Sequence, residues 1–148
     1  MTIRKATRDE TQRILNYHMA VMKEATMGYV KPSQEKVAEL MAPFFNGGGY
    51  YLVRSKNNII HGWVGIVRMI DQNTDEWVGF INEMYVLPYF RNQGIAEKLC
   101  KAAFNQLKIE GFNKVHLNVY AGNPAKRLYQ KLGFQDVSTL MAKNLDLG

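Results

Sequence analysis

A chain of 148 residues with 47% hydrophobic and 22% charged content has the balance of one globular domain, 1–148, long enough to bury most of the surface its unfolded form exposes. No apolar run approaches the roughly 20 residues of a membrane span, MTIRKATRDE lacks the apolar centre of a signal peptide, and a lone cysteine excludes a disulfide framework and a cysteine metal cluster. A cytoplasmic protein with no membrane attachment is therefore expected, and its net charge of +6 favours anionic partners.

Met1 to Ala6 alternates as a short strand. Thr7 and Glu10 then give a capping-box signature for one helix running to about Ala25, whose stripe is Ile14, Tyr17, His18 and Val21, widened by Leu15 and Met22. His18 on or beside that stripe reads as a packed or half-exposed histidine rather than a ligand. Thr26 to Pro32 breaks the chain, and Ser33 opens a second helix through Val37, Leu40 and Met41 to about Asn46. Gly47, Gly48 and Gly49 release the chain into a strand from Tyr50 to Ser55. Lys56, Asn57 and Asn58 form a hairpin turn into a long strand, Ile59 to Ile70, where Gly62 and Gly65 mark a bulge or a close backbone approach. His61, beside the turn, reads as a surface histidine.

A polar loop, Asp71 to Glu76, leads into a central strand ending near Leu87, because Pro88 cannot donate to a ladder. A helix follows to about Glu110, with Cys100 as a small hydrophobe on its face and Gly111 as its stop. Lys114 to Tyr120 alternates as a buried strand, with Val115, Leu117 and Val119 on one face and His116 and Asn118 on the other. A short helix to Lys131 or Leu132, a stop at Gly133 and a last strand from Phe134 to about Lys143 complete the order βααβββαβαβ, an α/β chain of the α+β type.

The chemistry concentrates at the turn after the central strand. Gly94 can take a positive φ or bring its backbone against a bulky ligand, and the N–H groups of Arg91, Asn92, Gln93, Gly94, Ile95 and Ala96 fall where a first helical turn leaves donors unpaired. With the charge of Arg91, that is a seat for a pyrophosphate, although an ordinary strand-to-helix turn has the same spelling. Neither G-x-x-x-x-G-K-[ST] nor G-x-G-x-x-G occurs. Glu83 is a carboxylate in a mostly apolar strand, costly there unless paired or functional, and strict alternation puts it with Tyr85 on one face and Asn82 with Met84 on the other.

Arg91, Gly94 and Ala96, preceded by M-Y-V-L-P and followed by an amphipathic helix, resemble motif A of the GCN5-related N-acetyltransferase (GNAT) superfamily. NPAKRLYQKLGF, from Asn123 to Phe134, resembles its motif B, with Tyr129 at the position of the helix tyrosine. Asn123 stands one residue nearer to Tyr129 than the family spacing, with the Ala121–Gly122 backbone as a substitute contact. The resemblance implies a mixed, mostly antiparallel sheet flanked by helices and splayed between the fourth and fifth strands. It also implies acetyl-CoA as donor, with the pantetheine arm paired along Met84, Tyr85 and Val86, and Tyr129 protonating the departing thiolate.

Glu83 is the candidate base, in competition with a structural role beside a Lys or Arg. Asn82 matches a position where family members often carry an acid, and here it would orient a water. Met27, Tyr29 and Asp75 are expected to line the acceptor site, with a small primary amine as the default acceptor. A non-catalytic acyl-CoA-binding module is the alternative. A homodimer through the last strand or first helices would suit the family. Nucleic acid is not an expected partner, since most aromatics fall within apolar strands. No metal is expected from three isolated histidines and one cysteine.

Overall fold

In the computed structural model, which describes residues 2–147, the chain opens with β1 (Ile3–Lys5) and turns at Thr7 into α1 (Arg8–Leu15). The Thr7 hydroxyl accepts from the Glu10 N–H at 3.1 Å and the Glu10 carboxylate accepts from the Thr7 N–H at 2.9 Å, so the expected capping box forms. The expected single helix is broken at Asn16 and Tyr17, and α2 (His18–Ala25) continues beyond the break. There the Tyr17 N–H bonds the Ile14 carbonyl in a tighter turn. Periodicity missed the break because both halves keep their apolar residues on the same side.

Ser33 caps α3 (Gln34–Asn46), accepting from the Lys36 N–H at 3.0 Å. β2 (Tyr50–Lys56) and β3 (Ile59–Ile70) are joined by Asn57 and Asn58, both with positive φ, as a two-residue hairpin demands. β4 (Trp77–Val86), α4 (Ile95–Ile109), β5 (Val115–Leu117) and α5 (Ala125–Lys131) follow. The sheet order is β1-β2-β3-β4-β5, antiparallel except for the parallel pair β4 and β5. Strand alternation divides the core between the two faces. Tyr51, Val53, Trp63 and Phe80 pack under α1 to α3, while Leu52, Val64, Ile66 and Ile81 pack under Leu99, Ala103 and Leu107 of α4.

Both glycines flagged in β3 sit at register breaks. Arg54 faces Gly62 while Ser55 faces Ile60, leaving His61 as the extra residue; Gly65 faces Glu83 while Ile66 faces Ile81, leaving Asn82 as the extra residue. A Cβ on Gly62 would stand 2.7 Å from the Tyr85 carbonyl oxygen, and one on Gly65 would stand 3.0 Å from the Tyr51 ring, so neither position admits a larger residue without movement. The second bulge corrects the alternation expected along β4. Asn82 and Glu83 both reach toward the face of α1 to α3, contacting Met41 and Tyr51 respectively.

Three more expectations change. His61 is buried, not a surface residue, and stacks on Phe90 with ring centroids 3.9 Å apart. β5 is only three residues long. Residues 134–144 form no strand, and Val137, Leu140 and Met141 among them are exposed. A strand there lacks a long neighbour to pair with, since β5 stops at Leu117.

Candidate active site

The pairing of β4 with β5 covers only Gly79 with Val115, Phe80 with His116 and Ile81 with Leu117, although β4 runs on to Val86. It stops where Asn82 bulges. Beyond that point the β4 edge, including Met84 and Val86, carries backbone groups with no strand beside them, a row able to pair with an extended ligand. The same strand leads through a 3₁₀ turn, Pro88–Phe90, to α4. Gly94 precedes α4 with φ 76° and ψ 12°, a left-handed conformation that only glycine adopts cheaply, and no side chain caps the helix. The free N–H groups of the first turn and the helix dipole together favour an anion at this place. A Cβ at Gly94 would meet nothing within 4 Å, so the space over the turn is open.

Arg91 is turned from the helix mouth. Its Nε donates to the Val86 carbonyl at 2.8 Å, its Nη1 pairs with Glu24 at 2.9 Å, and its guanidinium lies 5.1 Å from the Tyr85 ring centroid. The Tyr85 hydroxyl donates to the other Glu24 oxygen at 2.9 Å. Burial pushes the Glu24 carboxyl up, but Arg91 and Tyr85 outweigh it and leave it below its ordinary value. α2 is thereby fastened to the end of β4.

Glu83, freed by the bulge to face α1 to α3, enters a buried polar cluster. Its Oε1 accepts from the Tyr51 hydroxyl at 2.9 Å and lies 2.9 Å from His18 Nε2; its Oε2 accepts from Trp63 Nε1 at 3.1 Å. Tyr51 Oη also stands 3.0 Å from His18 Nε2. Burial, reinforced by the Glu83 charge, drives the Tyr51 phenol far above its ordinary range, so Tyr51 keeps its proton. The partners of Glu83 are thus a histidine, a tyrosine and a tryptophan, where the sequence suggested a lysine or arginine. Next to this cluster, between α1, α2 and α3, opens a pocket of about 460 Å³ lined by His18, Met41, Leu15, Asn16, Met19, Gln34, Val37, Ala38 and Phe45. Both bulge residues touch its lining, Glu83 through His18 and Asn82 through the Met41 sulfur, 3.5 Å from its amide nitrogen.

Tyr129 lies on α5, buried against the edge of Phe134 and close to Cys100 of α4. Burial, and secondarily Cys100, pushes its phenol well above the ordinary value. Burial likewise raises the Cys100 thiol to about 12, as befits an inert packing residue. Asn123 has both ends of its amide in use: Oδ1 accepts from the Ala125 N–H at 3.0 Å and Nδ2 donates to the Ala25 carbonyl at 3.2 Å. That second bond ties the end of α2 to the loop before α5.

The profile of the acetyltransferase (GNAT) family matches residues 18–134. The chain belongs to that family. Among curated relatives it is 30% identical over 92 residues to the "uncharacterized N-acetyltransferase YjgM" of Escherichia coli, covering 62% of this chain and 53% of that protein. It is 33% identical over 78 residues to "GCN5-related N-acetyltransferase 6, chloroplastic" of Arabidopsis thaliana, covering 52% of this chain and 27% of that one. The chain therefore spans about half of the first relative and about a quarter of the second. A Clostridium acetobutylicum structure described as a "predicted acetyltransferase with acetyl-CoA" shares the fold, with a TM-score of 0.75, 22% identity and coverage of 99% of this chain and 97% of that one.

On this GNAT scaffold the motif A residues Arg91 to Ala96 occupy one turn, at the end of the free β4 edge of Met84 to Val86. Met27 and Tyr29 fall on the loop after α2 and reach the far side of the splay: Tyr29 meets Tyr120 with centroids 6.0 Å apart, and a Cβ on Gly122 would lie 3.7 Å from Met27 Cε. Asp75 is not with them. It holds a tight turn before Trp77 with φ 61°, and five strand steps put Trp77 itself roughly 16 Å from the Asn82 bulge. Sequence reasoning missed Tyr51, Trp63, Met41 and Glu24, and read His18 as a packed or half-exposed residue. The one available signal was the unexplained carboxylate at Glu83.

Proposed function

We propose that this chain is an acetyl-CoA-dependent N-acetyltransferase that moves an acetyl group to a primary amine by direct attack on the thioester. One observation carries the reading: beyond Ile81 the β4 edge has no strand beside it among the described residues, and the chain passes from it through one 3₁₀ turn to an uncapped helix N-terminus behind a left-handed Gly94. An extended amide-bearing arm suits the edge, and a diphosphate suits the turn. The N–H groups of Gly94, Ile95 and Ala96 would hold the diphosphate, and Met84 and Val86 would pair with the arm. The reacting carbonyl would then lie near the Asn82 bulge. Orientation supplies much of the rate in this arrangement, and a β4 N–H beside the carbonyl would stabilise the tetrahedral oxyanion. Tyr129, kept protonated by burial, suits the acid that quenches the departing thiolate.

The deciding experiment is thermal unfolding with acetyl-CoA, on the parent and on Gly94→Asp. Ligand at about 100 times Kd stabilises by about 2.7 kcal/mol, a rise in Tm of roughly 5–10 °C at this chain length. Gly94→Asp, whose carboxylate enters the open space above the turn, is expected to abolish the shift. A parent that shows no shift sinks the proposal. The second reading, a module that binds acyl-CoA without turnover, draws on Asn82, an amide that cannot take a proton. Release of free thiol with an amine present tells the two apart: turnover supports the enzyme, and stabilisation without thiol release supports the module.

A further inference from the structure

We propose that the pocket between α1, α2 and α3 seats an amine carried on an apolar body with a single positive charge, and that His18 on its floor takes the amine's proton. This rests on the acetyl-transfer reading and names its acceptor class and base. Leu15, Met19, Val37, Ala38, Met41 and Phe45 make most of the wall, beside the amides of Asn16 and Gln34, and no carboxylate lines it. An alkyl or aryl group gains by contact with these side chains, whereas a second ammonium finds no counter-charge among them.

The hydrogen-bond geometry fixes the tautomer of His18. Tyr51 spends its only hydroxyl proton on Glu83, so His18 Nε2, between Tyr51 Oη at 3.0 Å and Glu83 Oε1 at 2.9 Å, bears the ring proton. Nδ1 keeps its lone pair. His18 is one of the residues lining the pocket. Glu83 is held in place by Tyr51, His18 and Trp63. Held as it is, it stabilises the imidazolium that forms when Nδ1 receives a proton, the role of a carboxylate behind a histidine base. The break between α1 and α2 places His18 at the start of a helix with its ring over β4.

The proton balance closes. The ammonium gives one proton to Nδ1 and becomes the nucleophile; the C–N bond forms, and collapse of the tetrahedral adduct breaks the C–S bond. The nitrogen loses a second proton in that collapse, replacing the one Tyr129 gives to the thiolate. The imidazolium returns its proton to water through the pocket mouth.

The test is thiol release from acetyl-CoA with three probes: phenethylamine, the polycation spermidine, and aniline, which is neutral at pH 7. Phenethylamine is expected to exceed spermidine in kcat/KM by about tenfold or more. Ala38→Asp, on an exposed lining position, is expected to narrow that ratio about fivefold by giving a second ammonium its partner. His18→Gln keeps a donor toward Glu83 but accepts no proton. It is expected to lower kcat about 10²-fold with phenethylamine while KM stays within about threefold, and to lower kcat with aniline only a few-fold. An equal loss with both amines makes His18 structural and overturns its role. Preference for spermidine overturns the acceptor class. In both cases acetyl-CoA still stabilises the parent, so the donor site stands; if the parent is not stabilised, both readings fail together. Stabilisation of His18→Gln by acetyl-CoA shows that the variant folds.

Discussion

Tyr129 and Arg54 show what burial does to a polar side chain in two opposite settings. The Tyr129 phenol sits where ionisation is disfavoured by burial first and by Cys100 second, so it stays protonated through neutral pH. Tyr129→Phe preserves the ring and its edge contact with Phe134. It is expected to cut kcat by about 10²-fold while leaving acetyl-CoA stabilisation intact, as loss of a general acid does. Unchanged turnover in steady-state thiol release would remove Tyr129 from the chemistry. Arg54 is only 9% exposed, and its Nε has no hydrogen-bond partner among the described residues. Its charge, after burial itself, helps hold His61 below the ordinary imidazole value. A buried guanidinium with an unpaired Nε costs free energy, and a flexible thioether fills a similar shape. Arg54→Met is therefore expected to raise stability by about 1 kcal/mol, read as a higher urea midpoint with an unchanged slope. A lower midpoint would mean the guanidinium is satisfied in solution.

The junction of β1 and α1 depends on one carboxylate. Glu10 accepts from the Thr7 N–H and from both Arg4 terminal nitrogens, at 2.7 and 3.0 Å. The Arg4 hydrogen bonds lead the causes that bring its carboxyl from 4.5 down to about 2, against the opposing effect of burial. Because the folded value lies below the unfolded one, the native state binds fewer protons over that interval. The stabilisation is complete above pH 4.5 and is lost as pH falls toward 2. Its size is about 2 kcal/mol once the half-exposed Arg4 is allowed for. Glu10→Gln is expected to lower Tm at pH 7 and to flatten the acid limb of the Tm profile between those values. A limb as steep as the parent's would place the acid sensitivity elsewhere.

That junction was legible, since Thr7 and Glu10 spell their own geometry, as Ser33, Asn57 with Asn58 and Gly94 do for their caps and turn. The turn of motif A was legible for the same reason: local backbone chemistry dictates it. Met84 to Val86 entered only through the family resemblance. What was not legible depends on contacts across the fold. The extra residue at Asn82 shows only when β4 is laid against β3 and Gly65 is found facing Glu83, and strict alternation points Glu83 and Asn82 apart. His18 gains its partners only because the helix breaks before it. Residues 134–144 alternate well enough to read as a strand, yet a strand also needs a neighbour, and β5 stops too soon to give one.

One ion pair among several contacts joins the α1–α3 side of the assembled molecule to the turn before α4. α2 lines the pocket through His18 and Met19, and the end of β4 leads to the turn before α4; Glu24 on α2 holds Arg91 and Tyr85 at that end. The chain carries a net charge of +6, which draws a polyanionic donor, but Glu24 cancels Arg91 close to where the phosphates would rest. Glu24→Gln keeps an acceptor for the Tyr85 hydroxyl and removes the negative charge. Arg91 retains its bond to the Val86 carbonyl and gains freedom to face the phosphates. Half-exposed pairs are worth under about 1 kcal/mol, so acetyl-CoA is expected to bind roughly two- to fivefold tighter. The gain is expected to fade as ionic strength rises toward 1 M, where screening acts within about 3 Å. Titration calorimetry at two salt concentrations reads both effects. Weaker binding at low salt would reverse the account: Glu24 would then hold the turn in the shape that receives the donor, and the ion pair would serve the ligand it was expected to oppose.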